Sequence, residues 1–517
     1  MNQRTAASLL TRQDYPDPDV IRVDDTYYMV STTMHFMPGC VILRSYDLLN
    51  WEIASYVYET LDDTPAQRME GNQNIYGQGM WAATIRHHNG RFYICFVAND
   101  TKKTYLYQSE AVTGPWKKQI IDGFYHDCSL LFDEERVFLV YGNTEIHLTE
   151  LTADLTGPRP GGLDRVIVSD AGNPNLGYEG SHIYRINGRY YVFFIHSSRT
   201  EWRRIEACFC SDSLEGEFYG KDVLVDDMGY HNQGVAQGGI VDTPDGRWYG
   251  VLFQDRGAIG RIPVLVPVRW EDDFPVFGIN GRVPEECTVT STNPGYRYRP
   301  LFTSDDFHYT SDADGRVSLK LPWQWNHIPD DRLWTVDGTA GRLDITTGKL
   351  CANLCQAVNT LTQRMTFPSC SAQVTIDGTR LKAGDFAGIC ALQGCYGMIA
   401  LTRTDDGYDL VMMGRPAEDA SLCAMEADIR PGVEYARIAW NRPAVSLRVT
   451  ANFQDMKDEA FFFYLDGGKW NRFGIPQKLF FKMDHFCGCR VGLFCYSTAS
   501  TGGTAGFLDF CYHCARS

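Results

Sequence analysis

No run of apolar residues in this 517-residue chain approaches the roughly 20 that a membrane-spanning helix needs. The opening segment, Met1 to Leu10, also lacks a long apolar core, so no secretion signal is expected there. Positive charge is in short supply: Lys+Arg 48 against Asp+Glu 64 gives a net charge of -16. That balance disfavours nucleic acid and anionic membrane as partners and suits a neutral ligand such as a sugar. Helical periodicity is scarce, which points to an all-β protein. An even cysteine count is missing too. Seventeen cysteines without a signal predict reduced thiols and a cytoplasmic protein, not a disulfide framework. Cys487-Gly488-Cys489 and Cys511-Tyr512-His513-Cys514 lack the evenly paired knuckles of a structural zinc site and read as small apolar strand residues.

What is present is a repeat. Asp17 sits in Tyr15-Pro16-Asp17-Pro18-Asp19, Asp127 in Tyr125-His126-Asp127-Cys128-Ser129, and Glu179 in Gly177-Tyr178-Glu179-Gly180-Ser181. Each is followed by an apolar run, a turn and a second aromatic-rich strand. Related units start near Trp81-Ala82-Ala83-Thr84 and Gly239-Ile240-Val241, making five units at about 55 residues, close to the period of a propeller. Blades of a propeller place their innermost strands around one axis, so residues at the strand mouths converge. The pattern changes near Asn293-Pro294-Gly295 and Arg299-Pro300. Beyond these come short alternating strands, for instance Ser371 to Ile376, that predict a β-sandwich. The expected domains are therefore a five-bladed β-propeller over 1–295 and a β-sandwich over 300–517. A single Asp or Glu at a strand mouth is usually a turn residue. Three in register suggest a site, and two carboxyl groups in different protonation states are what glycosidic cleavage requires.

These residues carry a resemblance. With Pro16-Asp17-Pro18-Asp19, Trp81-Ala82-Ala83-Thr84, Asp127-Cys128-Ser129-Leu130, Glu179-Gly180-Ser181-His182-Ile183 and Gly260-Arg261-Ile262-Pro263, the chain resembles glycoside hydrolase family 43. The likeness is to its two-domain members, which join a propeller to a C-terminal concanavalin-like sandwich. The resemblance implies Asp17 as general base, Glu179 as general acid and Asp127 as the group that tunes and orients the acid, with inversion at the anomeric carbon. It implies an exo-acting α-L-arabinofuranosidase or β-xylosidase that trims short xylan-derived oligosaccharides. The alternatives are an endo-arabinanase on the same propeller and a carbohydrate-binding protein without catalysis.

Trp81 is a candidate for stacking on the sugar, or else a blade-packing residue. Arg261 offers a guanidinium fork to a hydroxyl or a carboxylate, and His35-Phe36 resemble pocket-rim residues. Gln237 stands where many relatives carry a His facing an axial metal ion, and Cys128 where many carry Pro. No cofactor is required by the expected chemistry. Calcium on the propeller axis is the one candidate ion, because an amide oxygen can join its ligands. Self-association stays open.

Overall fold

The computed structural model describes residues 3–313, 315–416 and 428–515, so the outermost residues of both expected domains lie outside it. The described residues contain strands and a few single 3₁₀ turns. Five four-stranded antiparallel sheets form first, each from a contiguous stretch of chain. Their innermost strands are Asp19–Val23, Met80–His88, Ser129–Asp133, Glu179–Ile186 and Ala236–Asp242. Two first hairpins turn at Asn89-Gly90 and Asn187-Gly188, all four residues at positive φ, the geometry whose twist matches paired strands.

Among the described residues no strand is exchanged to close the ring. The first and fifth blades meet at Gly239, where an added Cβ would lie 2.6 Å from the Asp19 carboxylate, so only glycine permits the approach. Strand Gln3–Ala7 pairs instead with Glu286–Thr290 in a small sheet outside the blades.

The second half is a sandwich of an eight-stranded and a seven-stranded antiparallel sheet. Strict alternation along Ser369–Arg380 and Ala444–Asn452 buries every second side chain between the layers. One strand of the eight does not belong to this half. Phe36–Met37, from the loop of blade one, pairs with Gln324–Asn326 at the sheet edge, with Phe36 opposite Asn326 and Met37 opposite Trp325. The propeller's Ala258, Ile259 and Ile262 are buried within the sandwich's own apolar cluster. The two halves therefore share both a hydrogen-bonded sheet and a core.

This overturns one expectation. His35 and Phe36 are not at a pocket rim. They are 0% and 1% exposed, because the strand they begin is zipped under the sandwich. The His35 ring packs against Phe36, Tyr76, His327 and His485, and the Arg490 guanidinium lies 3.5 Å from the centre of the Phe36 ring.

Candidate active site

Asp17 and Asp127 adopt positive φ just before their strands, at 52° and 48°, and Gln237 does so in the fifth blade at 55°. Asp tolerates this left-handed region better than most side chains. In blade four the same re-aiming is done by Gly180, at φ 65°, inside a register break between Glu179 and His182. Matching breaks fall at Met80/Ala83 and Ala236/Gly239. Bulges of this kind bend the strand mouth and turn a side chain towards the axis.

Asp17 is held by two donors. Arg261 donates from Nη1 to Oδ1 at 2.7 Å, and Thr32 donates from Oγ1 to Oδ2 at 2.8 Å. Behind Arg261, Asp255 lies 3.5 Å from its Nε and also pairs with Arg204. Burial, helped by the like charge of Arg261, pushes the Arg204 guanidinium down to about 9.

Across the funnel, Asn143 donates from Nδ2 to Glu179 Oε2 at 2.5 Å. His126 Nε2 lies 3.5 Å from that same oxygen and 3.6 Å from Asp127 Oδ2. Burial raises the Asp127 carboxyl to about 7, reinforced by the negative charges of Glu179 and Asp17 and opposed by His126 and Arg261. His126 is raised to about 9: burial works against its charge, and Asp127 and Glu179 outweigh it. A proton thus resides among these three groups near neutral pH. They are also the one group of His, Cys, Asp and Glu side chains among the described residues with metal-ligand spacing.

Asp19, two residues beyond Asp17, has a different role. It is fully buried and accepts from Thr84, the Ile85 backbone, Arg86 at 2.6 Å and, at 3.1 Å, contacts His182 Nδ1. Burial opposes its charge, but Arg86 and His182 hold the carboxyl well below its ordinary range. Arg86 also reaches Ser129 Oγ and the carbonyls of Leu130 and Ile183, so its guanidinium spans the inner strands of blades one, three and four.

Gln237 packs its side chain against Gly180, and its backbone N–H donates to Glu206 at 2.7 Å. Burial pushes the Glu206 carboxyl well up, towards its neutral form. Gln237 and Glu206 could supply two of the six to eight oxygens that a calcium ion takes. The axis already carries a fixed cation in Arg86.

The sandwich completes the walls. Phe486 packs on Trp81 at 5.3 Å, and its ring lies 4.5 Å from the Arg261 guanidinium, with Phe481 at 5.6 Å. Trp81 is half-buried and meets His126 edge-on at 5.9 Å. Of the sequence candidates, Asp17, Asp127, Glu179, Trp81, Gln237 and Arg261 converge here, whereas His35 and Phe36 lie behind them. His126, Asn143, Thr32 and Phe486 were not anticipated. His126 alone had a local signal, its place beside Asp127.

Residues 9–275 match the family described as "Glycosyl hydrolases family 43", and residues 314–513 match the "Beta xylosidase C-terminal Concanavalin A-like domain". Among curated proteins, a β-xylosidase of Formosa agariphila is 25% identical over 96% of this chain and 88% of its own. Among solved structures, a bifunctional GH43-CE protein of Bacteroides eggerthii is 38% identical with a TM-score of 0.90, covering 100% of this chain. This chain spans 64% of that longer protein. A GH43 enzyme engineered for both endo-xylanase and exo-arabinofuranosidase activity is 27% identical with a TM-score of 0.86, covering 99% of this chain and 100% of its own. The propeller, its three converging carboxylates and the appended sandwich therefore belong to a glycoside hydrolase of family 43.

Proposed function

We propose that this enzyme is an inverting exo-glycosidase that releases terminal α-L-arabinofuranose or β-D-xylose from xylan-derived oligosaccharides. The observation that supports the exo reading is Phe486, which reaches from the sandwich onto Trp81 and Arg261 and so walls one side of the carboxylate cluster. An endo-arabinanase needs an open cleft along the same face.

In this reading Asp17, held by Arg261 and Thr32, takes the proton of a water that attacks the anomeric carbon. Glu179 delivers a proton to the departing glycosidic oxygen. Asp127, whose carboxyl is raised to about 7, keeps the proton in the cluster until it is needed. Glu179 is the more open of the two, its side chain 20% exposed against 7% for Asp127, which suits the group facing the leaving sugar. Inversion requires about 6.5–9.5 Å between base and acid, leaving room for the water. No metal ion takes part in the proposed steps.

The pentose assignment rests on the names of the relatives. The sixteen cysteines among the described residues are all free thiols, which supports a reducing compartment. The test is a panel of aryl pentosides with NMR detection of the first-formed anomer. Release of the inverted pentose from the non-reducing end is expected. Retained configuration, or cleavage only within long chains, would refute the proposal.

A further inference from the structure

Trp202 is a large apolar ring left 49% exposed, yet the segment that carries it is tightly built. The loop from Ser198 to Arg203 joins two strands of blade four, Arg189–Ser197 and Arg204–Ser211. Its ends are tied by a backbone bond from Ser198 N to Arg203 O at 2.9 Å. Asn175 donates to Ser198 O at 2.7 Å, and Asn232 donates to Trp202 O at 3.2 Å. A loop fixed this way holds its indole in water, where the ring is available to stack on a ligand.

The strand register locates that face. Glu179 pairs with Ile195, and Ser197 with Arg204, so the Trp202 loop emerges at the Glu179 end of the same blade. The Arg204 guanidinium lies 5.8 Å from the Trp202 ring and pairs with Asp255, which neighbours Arg261 and through it Asp17. Phe486 and Phe481 lie over Trp81 of blade two and Arg261 of blade five. The leaving group must depart past the acid, hence towards blade four.

We infer that Trp202 is the stacking platform for the leaving-group sugar, the second residue of a pentose oligosaccharide. This rests on the exo-glycosidase reading with Glu179 as acid. Aromatic rings take the C–H face of a sugar as they take other apolar rings, and one such contact is worth about tenfold in affinity.

The test compares the full-length wild type with Trp202→Ala and Trp202→Phe on xylotriose and on an arabinose-capped xylo-oligosaccharide. Inhibition by free xylose and arabinose reports the terminal-sugar pocket separately. We expect KM for the cleaved oligosaccharide to rise about tenfold in Trp202→Ala and largely recover in Trp202→Phe. Inhibition by the free pentose and the melting temperature should not change. An unchanged KM in an active enzyme, or a parallel loss of pentose inhibition, overturns the assignment of Trp202 alone. A wild type that cleaves neither oligosaccharide overturns the exo-glycosidase reading, and the subsite with it.

Discussion

The Arg261 guanidinium and the Asp17 carboxylate meet at 2.7 Å across the join between the last blade and the first. The contact is almost dry, with side-chain exposures of 8% and 6%. Replacing Arg261 by Ala leaves Asp17 buried without its cation, a change that typically costs about 3–5 kcal/mol. Arg261→Lys keeps charge but cannot keep both the Asp17 and Asp255 contacts. Steady-state kinetics should therefore show a loss of kcat on the order of 10²-fold or more in Arg261→Lys, with the fold retained by circular dichroism.

The neighbours Asp17 and Asp19 should separate cleanly. Asp17→Asn is expected to abolish turnover on every substrate while the fold is retained, because Asp255 still faces Arg261. Asp19→Asn breaks the buried Arg86–His182 network and should lower stability by about 3–5 kcal/mol in urea unfolding. Activity that survives in Asp17→Asn but vanishes in a well-folded Asp19→Asn would reverse the two roles.

For Glu179→Gln, the leaving group decides the outcome. A sugar alkoxide needs a proton to depart, whereas nitrophenolate does not. The loss on oligosaccharides should exceed that on a nitrophenyl glycoside by about 10²–10⁴-fold. Equal losses on both would make Glu179 a binding residue.

With its carboxyl raised to about 7, Asp127 predicts an alkaline limb in kcat/KM beginning near that pH. Asp127→Asn removes that titrating carboxyl, so the limb beginning near pH 7 should be lost. The stability sign follows from proton counting. Between about 4 and 7 the native Asp127 holds a proton that the unfolded chain has released, so its contribution to stability falls as pH rises through that window. Asp127→Asn should accordingly raise the melting temperature at pH 8 and leave it nearly unchanged at pH 4.

The histidines under the sandwich work in the opposite sense. Burial pushes His485 down to about 3, with Arg415 adding to the effect, and holds His35 and His327 well below 6.5. Unfolded, each would bind a proton near 6.5, so the unfolded state gains protons first as pH drops and stability declines from about 6.5 towards 3. Replacing His485, which stacks on Tyr76 at 3.9 Å, by Phe should flatten the melting temperature between pH 4 and 6.5. A profile parallel to wild type would remove His485 as a source of acid lability.

Much of the plan was legible because local rules and the fold agree. Hairpins repeat, strand alternation predicts the sandwich layers, and Asp17, Asp127 and Glu179 stand at equivalent strand mouths. His35 and Phe36 were misjudged because their environment is made by residues some 290 positions away, at Trp325 and Asn326. Phe486 escaped notice for the same reason. Nothing around Phe481 to Cys487 announces that the segment crosses to another domain. Arg86 was unreadable because its partners lie on three other strands, and only closure of the ring assembles them.

Strand Phe36–Met37 bears on motion as well as on packing. A sheet whose edge belongs to the other half leaves no hinge between propeller and sandwich. Entry of substrate and exit of products then cannot rely on the two halves swinging apart and depend on the loops at the strand mouths. Heating should reveal one cooperative transition rather than two, and turnover should respond to changes in those loops far more than to any added flexibility near residue 300.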